Sequence, residues 1–186
     1  RLPYKQNVGG SIPSAPTISS IKKMSLLMWS FFVSAFGKIM HVLSESSPLS
    51  TASLIYQQFM LSLVQQQQVM GLINPQQQWA WCGTHDHTSL ALWHHPSLIK
   101  PVIGHWPSYR IFPVSLQELI DHIIPVLVRE KKALALNLAA DGQHVSITPQ
   151  HFMTDLKNYL YELQRAQPKV YQALKLPQPR RIRLHA

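Results

Sequence analysis

The sequence predicts an α+β fold: an N-terminal helical pair with a β-hairpin, then a helix–β-hairpin–helix unit. Three observations predict it. Apolar residues recur at helical spacing in four stretches, near 19–46, 48–72, 115–128 and 148–165. In two places, around 79–93 and 134–147, they alternate at period two about a polar turn. Between these groups Pro96, Pro101, Pro107 and Pro113 break the chain often enough to exclude a long helix.

In order, residues 1–18 hold Pro3, Gly9, Gly10, Pro13 and Pro16 with little periodicity and read as an extended arm. Residue 1 is Arg rather than Met, so the expectation is a processed or excised fragment of a larger protein. The first helix follows, apolar almost all round from Met24 to Leu43. Its uninterrupted apolar run ends at Gly37 and is flanked by Lys22-Lys23 and Lys38, which is short of the roughly 20 residues a membrane span needs. A buried or interfacial helix is expected there, with no span and no secretory signal.

Ser47-Pro48 gives the second helix a cap and a first-turn proline, and the pattern Leu54, Ile55, Phe59, Met60, Leu63, Val64, Met70 extends it to about residue 72. Gln65 to Gln68 then lie near its end, and Asn74-Pro75 stops it. The stretch Trp79–His95 comes next, with three of the five Trp, the only Cys and four of the ten His. Ser89–Trp93 alternates as a strand, Trp79–Trp81 is its partner, and Gly83–His87 is the loop between them. The domain reading is therefore an arm at 1–18, a helical pair with hairpin at 19–95, a Pro-rich connection at 96–113, a second unit at 114–176 and a basic tail at 177–186.

The second unit begins with the capping box Ser115-Leu116-Gln117-Glu118 and an apolar stripe from Leu116 to Val128, in which Pro125 predicts a kink or early stop. Leu134, Leu136 and Leu138 alternate as a strand, Ala140–Gln143 turns, and His144–Ile147 returns. Thr148-Pro149 then caps a helix to about Arg165, a short helix is expected at Val170–Leu174, and Pro177–Arg183 reads as an extended basic strip.

Composition bounds the function. Charged residues make up 13% of the chain, about half the usual share, which favours a surface covered by protein partners. Net charge is nonetheless +9: residues 1–60 carry five basic and one acidic residue, 61–128 two and three, 129–186 ten and four. Such terminal basicity favours an anionic partner. One Cys excludes an intramolecular disulfide framework and makes a reducing cytoplasm the expected compartment.

These features point to a non-enzymatic nucleic-acid-binding or assembly subunit. Helix, helix, hairpin is the order of a winged-helix module, with Gln65, Gln66 and Gln68 on a recognition-type helix and Gly83–His87 as the wing tip. A Gln amide pairs bidentately with adenine. Arg110, Arg180, Arg181 and Arg183 supply guanidinium groups for phosphates. One rival is a protein–protein scaffold without nucleic-acid contact, marked by the low charge and the apolar helix at 24–43. A second rival is a zinc-binding module or zinc-dependent enzyme on Cys82, His85 and His87, although their spacing fits no standard finger and supplies one thiolate. No cofactor other than zinc is suggested. The acidic residues and His122 of the second unit have no spacing that assembles an acid/base pair.

Overall fold

The computed structural model describes residues 51–83 and 88–182. The arm at 1–18, the apolar helix at 24–43, the Ser47-Pro48 start, His85, His87 and Arg183 lie outside the described residues. The class is α+β, with helices and two sheets.

Helix α1 is Thr51–Gln66 and buries Phe59, Met60, Leu63 and Val64. It does not run to residue 72. Gln67 adopts a left-handed backbone, φ 53°, and the chain reverses directly into strand β1, Gln68–Ile73. The physical reason lies in Val69-Met70-Gly71-Leu72-Ile73, which is buried throughout. An apolar run with no polar face fits a strand covered on both sides as well as it continues a helix, and periodicity cannot separate the two. Asn74 and Pro75 consequently begin a turn, closed by Asn74 N donating to Gln78 O at 3.0 Å, rather than ending a helix.

The expected hairpin is present: β2, Trp81–Gly83, pairs antiparallel with β3, Thr88–Leu92. Trp79 lies outside it and bridges to Ile73 of β1 instead. Strand β4, Arg110–Ser115, pairs along the whole of β1, from Gln68 opposite Ser115 to Ile73 opposite Arg110. Pro113 sits in β4, which among the described residues pairs with β1 alone, so its missing N–H is tolerated. Reciprocal bonds between Met70 and Trp93, 2.7 and 2.8 Å, join this ribbon to the main sheet.

The Ser115 cap of that box is present, its Oγ accepting from Glu118 N at 3.1 Å. Helix α2, Leu116–Glu118, leads into a π-helical turn at Leu119–Ile123 and then α3, Ile124–Arg129. That wider turn is how the chain meets Pro125 near the start of α3, since the ring excludes an ordinary i to i−4 bond. Strand β5, Ala133–Leu136, pairs parallel with β3 and antiparallel with β6, Val145–Ile147, giving the order β2-β3-β5-β6. Strands from both sides of the Pro-rich stretch thus share one sheet. Helix α4, Pro149–Ala166, is capped by Thr148, whose Oγ1 accepts from His151 N at 3.3 Å. Helix α5 is Pro168–Ala173.

One sheet face carries Met70, Leu72, Ala80, Ala91 and Trp93, and residues 96–109 fold over it with Ile99, Val102 and Trp106. The Pro-rich stretch is therefore a plug as well as a connection. Trp93 is fully buried and its Nε1 donates to Leu138 O at 2.9 Å. Burying an indole of this size, on the order of 200 Å² of mostly apolar surface, contributes roughly 5 kcal/mol before entropic costs. On the helical side, Phe59 of α1 meets Phe152 of α4 edge to face with centroids 6.3 Å apart, and α1 contacts β1 and β6.

Candidate nucleic-acid interface

The glutamine run does not form one presenting surface. Gln65 is half-buried in the last turn of α1, and Gln66 Nε2 donates to Ser62 Oγ at 2.8 Å. Gln67 turns the chain and its Nε2 donates to Leu174 O beyond α5, while Gln68 is the first residue of β1. A recognition helix carrying Gln65, Gln66 and Gln68 side by side is thereby corrected, because the backbone reverses within the run.

Arg110 is exposed at the far end of the β1–β4 ribbon. Five residues of strand separate its register from that of Gln68, roughly 17 Å at the usual rise. The two are not brought together. Its guanidinium carbon stands 6.0 Å from the centroid of the Phe112 ring.

The basic tail is a 3-10 turn, Pro179–Arg181, rather than an extended strip. Pro179 presets the backbone for the turn. Pro179 and Ile182 are buried, Arg180 and Arg181 between them are exposed, and Lys157 of α4 donates from Nζ to Ile182 O at 3.3 Å. Tyr171 OH donates to Pro177 O, and burial raises the pKa of this phenol, so it stays a donor. The two arginines are consequently held at a fixed place against α4. Lys157 and Gln67 were absent from the sequence-derived site: a lysine inside an amphipathic helix and a glutamine inside a run carry no signal of a tertiary bond.

Ion pairs among the described residues are Lys132 with Glu130 at 2.7 Å, His151 with Asp155 at 3.9 Å and Arg165 with Glu162 at 4.0 Å. Arg110, Arg180 and Arg181 have no acidic partner there. Glu130 is held below the usual carboxylate range by its hydrogen bond from Lys132 and by that cation's charge.

Of the zinc candidates, only Cys82 is described. Its Sγ donates to Ser89 O at 3.5 Å, and burial pushes the thiol pKa up, away from the thiolate a metal would need. Among the described residues no group of three His, Cys, Asp or Glu side chains is placed to hold a metal ion. His94 stands with Nδ1 3.0 Å from Asn137 Oδ1 and its ring edge-on to Phe59. Trp106 and Tyr109 pack on the Trp93 cluster. Among the described residues no helix is long and apolar enough to cross a membrane.

Together these features define a mixed-sheet α+β protein with an exposed cationic turn, Pro179–Arg181, that has no acidic partner among the described residues. A family model described as Protein of unknown function (DUF2750) matches residues 56–156, more than half of the chain, and the chain belongs to that family. No curated protein matches it. The match divides the charge. Residues 56–156 hold five basic and six acidic residues, whereas 1–55 hold five and one and 157–186 hold seven and one. All of the positive excess lies outside the matched segment.

Proposed function

We propose that this chain is a non-enzymatic nucleic-acid-binding subunit of a larger assembly, in which a nearly neutral α+β core carries a basic C-terminal appendage. The observation that carries the reading is the pair Arg180 and Arg181, exposed, without acidic partners among the described residues, and fixed against α4 through Ile182 and Lys157. Cations without internal partners keep their full attraction for phosphates, and guanidinium groups held in place lose less entropy on binding. The 13% charged share supports protein partners over the remaining surface, and the lone Cys82 thiol fits a reducing compartment such as the cytoplasm.

The test is fluorescence anisotropy with labelled 20-nucleotide single strands and duplexes at low salt, comparing the intact chain with Arg180→Ala/Arg181→Ala. Binding that weakens at least about tenfold in the double variant supports the reading, each lost phosphate contact removing part of the counterion-release term. Equal binding by both proteins removes the tail from the site, and no binding by the intact chain removes nucleic acid as its ligand.

A further inference from the structure

We propose that the surface formed by Trp79, Phe112 and Arg110 is a stacking site for unpaired nucleobases, so that single-stranded nucleic acid is the preferred ligand. This rests on the nucleic-acid reading above but uses a different part of the molecule, within the family-matched segment.

Gly71 is the starting point. A Cβ there would stand 2.7 Å from Trp79 Cζ3, so the missing side chain is what lets the indole lie against the backbone of β1. Phe112, opposite Gly71 in register, meets that indole edge-on at 5.9 Å and 75°. Arg110, two residues earlier on the same side of β4, reaches over the Phe112 ring. Trp81 follows Trp79 by two residues and carries Lys132 Nζ 4.0 Å from its ring centroid. Phe112, Trp79 and Trp81 thus make a row of rings with one cation at each end, Arg110 over Phe112 and Lys132 over Trp81. Lys132 is already paired with Glu130, which leaves Arg110 as the free cation of the row among the described residues.

Rings that only fill a core are enclosed, as Trp93 is, with the indole N–H bonded to Leu138. Trp79 and Phe112 are instead half-buried, Arg110 is exposed, and Trp79 Nε1 has no hydrogen-bond partner among the described residues. The turn leading to Trp79 is exposed from Pro75 to Gln78 and offers amide groups beside it. Aromatic faces flanked by a guanidinium accept bases of any sequence, and a duplex cannot present such faces because its bases are already stacked.

The experiment titrates the intact chain with a labelled oligo-dT 20-mer and with a duplex of equal length at one salt concentration, reading anisotropy and tryptophan fluorescence. Phe112→Leu, Arg110→Ala and Trp79→Leu are run beside it, each checked by thermal melting. The site predicts quenching on binding the single strand, at least about tenfold preference over duplex, and a loss of about tenfold for Phe112→Leu, with a weakening also in Arg110→Ala, whose exposed side chain makes it the variant least coupled to folding. Salt-dependent binding that ignores strandedness and is unchanged in Phe112→Leu and Arg110→Ala overturns the stacking site while leaving the tail reading standing. Failure to bind either oligonucleotide overturns both.

Discussion

Asn137 spends a left-handed backbone, φ 54°, to place its Oδ1 where His94 N reaches it at 3.2 Å and His94 Nδ1 at 3.0 Å. Asparagine tolerates that conformation better than other residues with a Cβ. An amide oxygen only accepts, so Nδ1 carries a proton in this contact. Burial lowers the His94 pKa, the Asn137 bond opposes that shift, and the neighbouring His95 adds to it. The unfolded chain therefore binds a proton at His94 more readily than the folded one, and stability falls as pH drops below the ordinary histidine value of about 6.5. Thermal melts from pH 7.5 to 5 should show a falling Tm, with a shallower fall in His94→Gln; an equally steep fall in the variant assigns the effect to other groups. None of this was legible in the sequence, where His94 was one of four histidines in a cluster and Asn137 an alternate position in a strand.

At the scale of elements, the two boundaries of the family-matched segment are tied to each other. Tyr56 of α1 donates to Asp155 Oδ2 of α4 at 2.8 Å, and burial followed by the Asp155 charge raises the phenol pKa far above its usual value. Tyr56→Phe leaves a half-buried carboxylate short of a donor and should cost about 1.5–3 kcal/mol in urea unfolding; a change under roughly 0.5 kcal/mol would show that water replaces the hydroxyl. Gly71→Ala should cost about 1–3 kcal/mol, because the added methyl meets the Trp79 ring, and should change the near-ultraviolet circular dichroism of the indole. An unchanged spectrum would mean that Trp79 does not rest on β1. Elements set by local chemistry were readable: the Ser115 and Thr148 caps, the turn at Gly142 and the hairpin strands rest on residue types that act within a few positions. The end of α1 was not, since Val69–Ile73 has no polar face and only pairing with β4 decides for a strand. Likewise the parallel pairing of β3 with β5 joins residues more than forty apart and leaves no local mark.

For the whole molecule, the separation of charge from the matched segment is the feature that bears on function. A core of five basic and six acidic residues has no general attraction for phosphates, so under the proposed function the phosphate contacts belong to the flanking segments and to isolated cations such as Arg110. The excess charge was visible in the sequence, but its fixation was not: tail residues with three Arg in four read as an extended basic strip, whereas Ile182 and Pro179 are buried.

Phosphate binding by the C-terminal turn is read from the slope of log affinity against log salt for the intact chain and for Arg180→Ala/Arg181→Ala on one oligonucleotide. If both arginines contact phosphates, the slope should become shallower by about 1.4–1.8, since each neutralised phosphate contributes roughly 0.7–0.9. Identical slopes for the two proteins would contradict the assignment of the C-terminal turn as a phosphate-binding site.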